Sequence, residues 1–467
     1  MLTWQILNEG EAMNELERLS KFIVDLDLDK ISKNVTETAK LCVLDSFAVA
    51  VGASKDELVE GIIHEYKALY PNSNENDVFV WGHNIKLPVV QTVFLNSLMG
   101  HRLELDDVHT NSKTHIGTIV VPTAVCLAQY LNSTGKELLE AVICGYEIMS
   151  RIGMGFGVSS HRNKGWHVTS TAGTFGAAAA AAKLFKLNQK ETTSSLGMAG
   201  TQSFGLWAFL EDSASSKILH PARAASNGVE AAFLAKAGMT GPRSILDAKD
   251  GSLFRAMSEE YDLSLVTKNL GLEYEILKVD NKPYPCCRST HCAIDSALNL
   301  RRNYNIDINQ IKNIEIDTYL VGYKQCGLTD GSKNPITSTE AKFSTPYTFA
   351  AALIDGQISL EHFTVEKIRK QGVQTLLKKI IVQPSDIFTD RYPEHWGCRT
   401  KIHMINNQEY EVVINDALGS VYNPVSPKEI IKKVIPLLKT AYIENDIINN
   451  ILNIDNLQSL SFECFMV

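Results

Sequence analysis

The sequence predicts a mainly α-helical protein with a smaller α+β region, and three observations indicate this fold class. Apolar residues recur at helical spacing through most of the first 270 residues. Near residue 272 the pattern changes, and short alternating or β-branched runs are found between helical segments. Strands and helices do not alternate regularly along the chain, which disfavours a Rossmann-type or barrel enzyme.

An array of helices is predicted for the first part of the chain. The segment 87–105 is nearly all apolar and should form a buried helix. The alanine run 177–182 would let neighbouring helices approach closely, because its side chains are small. The predicted helices are 35–51, 55–70, 87–105, 120–131, 135–152, 173–185, 188–210 and 221–237.

Strands are predicted only after the change near residue 272. Residues 311–321 alternate in strand fashion, 378–382 form a short β-branched run, and 400–413 resemble a hairpin that turns at Asn406-Asn407. Helices are predicted between them at 289–302, 346–353 and 364–377. Ser426, Pro427 and Glu429 then have the pattern of an N-cap, a first helical position and a capping box. The helix that they start, through Tyr442, should return to the helical region.

Composition and charge exclude several classes of partner. With 467 residues, the chain is long enough for two domains and a large hydrophobic core. The formal charge of −8 argues against nucleic acid or an anionic membrane surface as the main partner. We find neither a secretory signal pattern nor an apolar run long enough to cross a bilayer. The nine cysteines include no C-x-x-C pair, which indicates reduced thiols and a cytoplasmic protein.

The most informative stretch is 101–122, where charged side chains and histidines are crowded between two apolar segments. Groups that are so unfavourable to desolvate are seldom crowded beside a core without a chemical use. One interpretation is a solvated loop whose aspartates cap the next helix. The other is the floor of an active site, with a proton-transfer histidine and carboxylates that orient it. Twelve consecutive positions contain Glu104, Asp106, Asp107, His109, Lys113 and His115.

Three further segments carry cations or histidines beside glycines or helix starts. Residues 151–167 include Arg151, His161, Arg162, Lys164 and His167 among glycines, which indicates either a loop that admits an anionic ligand or a plain surface loop. Lys217 lies just before a predicted helix, whose N-terminus attracts anions. In 282–291, Ser289 is predicted to cap the next helix, which would leave Arg288 and His291 at its positive end as a carboxylate site.

Several other kinds of site find no support. The Gly153-x-Gly155-x-Gly157 run follows no strand and lacks the P-loop pattern, so a nucleotide site is not expected. The spacings of the cysteines in 286–292 fit neither zinc nor an iron–sulfur cluster. His109 and His115 are not separated as in a zincin helix. We therefore expect no metal.

Taken in order, these motifs resemble the MmgE/PrpD family, whose members include 2-methylcitrate dehydratase, cis-aconitate decarboxylase and iminodisuccinate epimerase. The resemblance implies a large helical domain from both chain ends, residues 1–272 and 418–467, and a smaller α+β lid domain, residues 273–417. It also implies a homodimer without metal or organic cofactor. The resemblance spans nearly the whole chain and is carried by Leu44-Asp45-Ser46 with Gly52, 104–109, 113–117, 173–183, 217–225, 284–291 and Trp396-Gly397.

The resemblance further implies which residues act on the substrate. Asp106 and Asp107 match an acidic pair upstream of the first catalytic histidine. Ile116 replaces the family's usual proline, and the loop 108–114 is not the tryptophan-containing loop of the decarboxylases, so the exact substrate stays open. The catalytic positions look like His115, His167, Lys217, His291 and Tyr323, with Tyr319 as the alternative for the last. The expected substrate-binding set is Asp106, Asp107, His109, Lys113, Lys282 and Arg288.

The sequence therefore predicts a cofactor-free lyase for a small di- or tricarboxylate, most like cis-aconitate decarboxylase, with itaconate as product, or 2-methylcitrate dehydratase. His115 and His167 would exchange protons with the carbon skeleton, and Tyr323 would donate or orient a proton. Lys217, His291 and Arg288 would hold carboxylates. The alternatives are an amino-dicarboxylate epimerase and a carboxylate-binding protein without turnover. Because the expected site residues lie on both sides of residue 272, the site should occupy a cleft between the two regions.

Overall fold

The computed structural model describes residues 13–212, 214–460 and Phe465, and most of these residues are helical. The prediction of a mainly α fold with a smaller α+β region is confirmed. Up to residue 267 the helices, short ones included, are Glu15–Asp25, Lys33–Gly52, Glu57–Leu69, Val89–Arg102, Gly117–Leu131, Gly135–Gly155, Val158–Asn163, Val168–Leu184, Gln189–Thr201, Phe209–Asp212, Leu219–Lys236, Leu253–Met257 and Ser264–Thr267.

Capping boxes start several of these helices. Thr134 accepts a hydrogen bond from the backbone N–H of Glu137, while the Glu137 carboxylate accepts one from the Thr134 N–H. Asn188 and Glu191 form the same kind of capping box at the start of the Gln189–Thr201 helix. Two of the backbone donors that a helix start leaves free are satisfied in this way. These local sequence patterns explain why the helices begin where they do.

One predicted helix, 188–210, ends early at Thr201. The chain leaves the helix at Gln202, and Gly205 then adopts a left-handed φ of 108°. The N–H of Trp207 then donates to the carbonyl of Gly165 at 2.9 Å. The break therefore places the Trp207 side chain against a distant segment of the helical region, which a continuous helix could not do.

The α+β region is built on a sheet of four strands within the described residues. Ile311–Thr318 pairs in parallel with Ile380–Pro384 and antiparallel with Cys398–Met404, which forms a hairpin with Glu409–Ile414. The predicted hairpin turn is confirmed, and Asn407 has a left-handed φ of 67° there. The predicted helix 364–377 is split, because Lys370 has a ψ of 125° and leaves the helical conformation. The α-helices of this region are His291–Asn303, Leu320–Cys326, Asp330–Lys333, Ser338–Lys342, Thr345–Asp355, Val365–Ile368, Gln371–Leu377 and Asp386–Thr389.

Side chains from distant parts of the chain share one hydrophobic core. Val43 and Phe47 in the Lys33–Gly52 helix belong to the same core as Val434 and Leu438 in the Pro427–Leu438 helix. An ion pair at 2.7 Å between Asp45 and Lys433 joins the same two helices. A second core is made by residues between 284 and 417, among them Ile314, Phe349 and Ile402.

Two predictions concern membranes and thiols. Within the residues that the structure describes, every helix is too short or too polar to cross a lipid bilayer. Eight cysteines are described, and all are buried and free of disulfides. Cys464 lies outside the described residues.

Candidate active site

A cavity of about 60 Å³ lies where the helical and α+β regions meet. Three of the predicted catalytic residues line it from the helical side: His115, His167 and Lys217. Arg288 and Tyr392 line it from the other side. Residues that are far apart in sequence are therefore brought together around one space, as a ligand pocket requires.

His115 is held at the cavity wall by groups on two sides. Its backbone N–H donates to the Thr169 hydroxyl at 3.1 Å, and its Nδ1 lies 3.1 Å from Asp106 Oδ2. Burial lowers the pKa of His115 to about 4, although the Asp106 carboxylate acts in the opposite direction. The ring is therefore neutral near pH 7, as a general base must be.

Asp106 connects this histidine to two further buried groups. His101 Nδ1 donates to Asp106 Oδ2 at 2.7 Å, and Lys282 Nζ lies 3.8 Å from Oδ1. Burial alone would raise the pKa of Asp106, but His101, His115 and Lys282 together hold it well below its usual range. Asp106 is thus an ionised carboxylate that orients His115 from behind the cavity wall.

Lys217 reaches the cavity with its charge already balanced by Glu104, which also lines it. Lys282 Nζ lies 3.6 Å from the other carboxylate oxygen of Glu104. Burial opposes ionisation of Glu104, but Lys217 and Lys282 lower its pKa well below the usual range. Glu104 has a φ of 57° and Lys113 a φ of 61°, conformations that are rare outside glycine and often found at functional sites.

His167 is paired with a histidine that the sequence analysis did not select. Its Nδ1 lies 2.9 Å from Nδ1 of His220, so one nitrogen donates the hydrogen bond and the other accepts it. Burial lowers the pKa of His220 to about 4 and that of His167 well below its usual value. His220 follows Lys217 by three residues and lies in the first turn of the Leu219–Lys236 helix. This position beside Lys217 was the signal in the sequence that could have identified His220 as a site residue.

Arg288 lines the cavity, whereas His291 lies behind it. Arg288 Nε donates to Asp280 at 3.0 Å, and Nη1 donates to the Leu418 carbonyl at 2.9 Å and to His291 Nδ1 at 3.0 Å. His291 Nε2 donates to the Cys286 carbonyl at 3.3 Å, so both of its ring nitrogens are used within the protein. Arg288 therefore keeps few free donors, and His291 supports it from behind.

Ser289 does not cap the next helix, contrary to the prediction. Its hydroxyl donates to the Gln325 side chain at 3.0 Å and accepts from the Tyr319 hydroxyl at 2.7 Å. The helix instead continues from a short 3-10 turn, Arg288–Thr290, which removes the need for a side-chain cap.

The tyrosine on the cavity wall is neither Tyr323 nor Tyr319, the two that the family resemblance implied. Tyr323 is half-buried and does not line the cavity. Tyr319 lies behind Ser289 and stacks on Tyr392, with 4.8 Å between ring centroids. Tyr392 lines the cavity directly, and burial raises its pKa well above the usual value. Its phenol keeps its proton and can donate a hydrogen bond to a ligand.

The remaining predicted residues hold the polar segment in place. Asp107 accepts from the Gly117 N–H at 2.8 Å and from the Tyr146 hydroxyl at 2.6 Å, and burial raises its pKa to about 7. His109 is hydrogen-bonded to Ser112 and to Glu275. Neither lines the cavity, whereas Lys113 does, with its ammonium 3.9 Å from the centre of the Trp396 ring.

One group of side chains resembles a metal-ligand set. Nitrogen and oxygen atoms of His101, Asp106 and His115 lie within 4.8 Å of one another, and two imidazoles with one carboxylate can bind iron or zinc. However, Lys282 places a buried ammonium 3.8 Å from Asp106, and His101 already donates a proton to that carboxylate. A divalent cation would be repelled there, so the donor set fits a metal poorly. Independence from metal stays a prediction.

Comparisons with known proteins match nearly the whole chain. The family model described as the MmgE/PrpD N-terminal domain matches residues 17–266, and that of the MmgE/PrpD C-terminal domain matches residues 284–456. A cis-aconitate decarboxylase from Aspergillus terreus is 25% identical over 481 residues, 98% of this chain and 97% of the relative. The cis-aconitate decarboxylase-like protein oryM from Aspergillus oryzae is 25% identical, with 94% and 93% covered. The cis-aconitate decarboxylase from Homo sapiens is 27% identical, with 78% and 75% covered.

Proposed function

The chain belongs to the MmgE/PrpD family, and we propose that it is a cofactor-free lyase that acts on a small di- or tricarboxylate by general acid/base proton transfer. The observation that carries this proposal is a cavity lined by two histidines, His115 and His167, beside cations from both regions of the chain. The names of the relatives make cis-aconitate the first substrate to test. Dehydration of 2-methylcitrate is the second reaction to test.

The histidines have the protonation state that proton abstraction needs. Asp106 occupies the Nδ1 side of His115, and His220 occupies Nδ1 of His167. Among the described residues neither Nε2 has a hydrogen-bond partner, so each is left for a ligand. A neutral histidine can remove a proton from carbon, and the same ring can return the proton to a different carbon.

The cations of the cavity suit the charge that such a reaction develops. Loss of carbon dioxide or of a proton leaves an electron pair beside a remaining carboxylate, and nearby positive groups stabilise that electron-rich intermediate. Lys217 and Arg288 line the same cavity as the histidines. We assign carboxylate binding to these two residues, and donation or orientation of a proton to Tyr392, which takes the role that was expected of Tyr323.

An epimerase of an amino-dicarboxylate is the alternative, because it too needs an acid and a base but loses no group. Binding without turnover accounts less well for the two buried histidines, since a carboxylate-binding site needs cations only. We also propose that the enzyme is a homodimer and acts in the cytoplasm, in agreement with the family resemblance and with the absence of disulfides among the described residues.

The experiment is to incubate the protein separately with cis-aconitate, 2-methylcitrate and iminodisuccinate in deuterium oxide and to follow proton NMR spectra. Decarboxylation would release carbon dioxide and place deuterium on carbon, dehydration would remove water, and epimerisation would exchange one proton without loss of a group. Activity should survive dialysis against a strong chelator. If no substrate turned over or exchanged a proton, the protein would not be this kind of enzyme.

A further inference from the structure

We propose that Arg162 and Trp207 form a separate carboxylate subsite of the cavity, which selects tricarboxylates over dicarboxylates. The inference rests on the proposed function and names the substrate class more closely. Both residues line the cavity, and the Arg162 guanidinium carbon lies 4.3 Å from the centre of the Trp207 ring. A cation over an aromatic face is attracted by the ring and is held in a defined position.

Arg162 differs from the other cations of the cavity because its Nε has no hydrogen-bond partner among the described residues. Lys217 is paired with Glu104, Arg288 with Asp280, and Lys113 donates to backbone carbonyls. In contrast, Arg162 Nε is buried without a partner in the part of the chain that the structure describes.

The Trp207 side chain provides a second buried donor that lacks an acceptor among the described residues. Its indole Nε1 is buried and has no hydrogen-bond acceptor among the described residues. Buried donors without acceptors are unfavourable, so two of them on adjoining side chains indicate an acceptor that arrives with the ligand.

The chemistry of these donors indicates an anion. Guanidinium and indole nitrogens only donate, so their partner must carry acceptor atoms and no competing donor. Burial lowers the pKa of Arg162 to about 10, which leaves it charged at neutral pH. A carboxylate presents two coplanar oxygens that match the planar guanidinium, and it balances the charge.

The backbone holds this pair together from both sides. Arg162 lies in the short Val158–Asn163 helix, between Gly157 with a φ of 69° and Gly165 with a φ of 88°. The backbone N–H of Trp207 donates to the Gly165 carbonyl at 2.9 Å, which holds the two segments together. Trp207 also meets the His167 ring edge to face, with 4.9 Å between centroids. A carboxylate on Arg162 would therefore place its carbon chain beside His167.

The subsite adds a third carboxylate contact to the two that we assign to Lys217 and Arg288, because the Lys113 ammonium already donates to two backbone carbonyls. Lys217 and Arg288 can each contact one carboxylate, and Arg162 is left for another. A dicarboxylate would leave Arg162 and Trp207 without acceptors, so it should bind less tightly than a tricarboxylate.

The test is calorimetric titration with propane-1,2,3-tricarboxylate and with pentanedioate, which lacks the central carboxylate. Both are saturated and bind without requiring turnover. Arg162→Gln should weaken binding of the tricarboxylate by about 10- to 100-fold, the usual effect of losing hydrogen bonds to a charged group, and that of pentanedioate less. Arg162→Lys should recover part of the loss, because it keeps the charge but loses the planar fork.

Two further variants complete the design. Trp207→Phe keeps an aromatic ring under Arg162 but removes the indole N–H, and it should weaken tricarboxylate binding several-fold. Arg223→Gln is the matched control, because Arg223 is exposed and lies over Phe94 at 5.1 Å without lining the cavity. It should bind both ligands as the wild type does.

Unchanged tricarboxylate affinity in folded Arg162→Gln and Trp207→Phe proteins would overturn the subsite and leave the proposed lyase standing. If Arg162→Gln lost equal affinity for both ligands, the proposed selectivity for tricarboxylates would be overturned. If the wild-type protein bound neither ligand and turned over no polycarboxylate, both the subsite and the proposed function would fail.

Discussion

His115 and His167 each have one ring nitrogen that faces a buried partner, Asp106 for the first and His220 for the second. Replacing either ring with alanine removes a proton-transfer group while its partner stays in place. We expect His115→Ala and His167→Ala to lower turnover by roughly 100- to 10,000-fold, the usual range for a lost general acid or base. Steady-state kinetics with the best substrate from the NMR assay is the measurement.

Cys286→Ala is the matched control for these variants. The Cys286 thiol is hydrogen-bonded to Thr290 at 3.1 Å, is fully buried and does not line the cavity. It should keep nearly wild-type turnover. An inactive cysteine variant beside active histidine variants would show that the reacting groups have been misassigned.

His161 makes the free energy of unfolding of the protein depend on pH. Its Nδ1 donates to the Met257 carbonyl, its Nε2 accepts from Thr171, and burial lowers its pKa to about 4. The unfolded chain has a histidine pKa near 6.5, so between pH 6.5 and 4 the unfolded state binds the extra proton. The free energy of unfolding should therefore fall as the pH falls through this window, by about 1.4 kcal/mol per pH unit for this residue.

The change that isolates this effect is His161→Gln, which cannot titrate. Urea unfolding at pH 7 and pH 5 should show the stability advantage of the wild type over the variant narrowing by about 2 kcal/mol. An advantage that is the same at both pH values would mean that His161 titrates alike in the folded and unfolded chains.

At this scale, the sequence identified the charged segments but not every side chain that lines the cavity. His115, His167, Lys217 and Arg288 lie in segments where charge is crowded, and all four line the cavity. Tyr392 could not be selected, because its place depends on how distant segments pack, whereas His220 had one indication, its position three residues after Lys217. His291 and Tyr323 carry suitable chemistry but lie off the wall for the same reason.

At the scale of elements, the short helix that carries Arg162 depends on the glycines at its two ends. A Cβ on Gly157 would lie 1.9 Å from the Glu260 carbonyl, whereas one on Gly165 would meet nothing within 4 Å. Both glycines have left-handed φ values, which disfavour alanine by about 1–2 kcal/mol. Gly165→Ala should lose about that much stability, and Gly157→Ala at least about 2 kcal/mol more, because its backbone must move.

Chemical denaturation of both variants would measure the difference. Since the displaced helix carries Arg162, Gly157→Ala should also bind polycarboxylates more weakly than Gly165→Ala. Equal stabilities would show that the contact with Glu260 relaxes without resistance.

Most elements could be predicted because their causes are local. Local residues alone determine the capping boxes at Thr134 and Ser426 and the turn at Asn406-Asn407. The early end at Thr201 was missed because the segment that follows is held by backbone hydrogen bonds from Trp207 to Gly165 and from His167 to Gly205, between distant parts of the sequence. The split of the predicted helix 364–377 was missed because no proline marks the break at Lys370.

At the scale of the whole molecule, two parts of the chain bound the cavity. His115, His167 and Lys217 line it from the helical region, and Arg288 and Tyr392 line it from the α+β region. A ligand that contacts both walls would hold the two regions together. We propose that residues 1–272 with 418–467 form one body and residues 273–417 the lid that moves against it.

Hydrogen exchange with and without a tricarboxylate would test this motion. Bound ligand should slow exchange in both 151–167 and 282–291, because the cavity walls come from both, and the slowing should weaken in Arg288→Ala. The hairpin strand Glu409–Ile414 lines no part of the cavity and serves as the internal control. Protection confined to one side would contradict a site that closes between two bodies.

The ion pair between Asp45 and Lys433 also has a consequence for the synthesis of the protein. Its two residues are 388 positions apart, so at 5–20 residues per second a ribosome adds Lys433 roughly 20–80 s after Asp45. During that time the Lys33–Gly52 helix lacks the apolar partners Val434 and Leu438, and the Asp45 carboxylate lacks its cation. We expect the nascent chain to expose this face to chaperones until Pro427–Leu438 has left the exit tunnel.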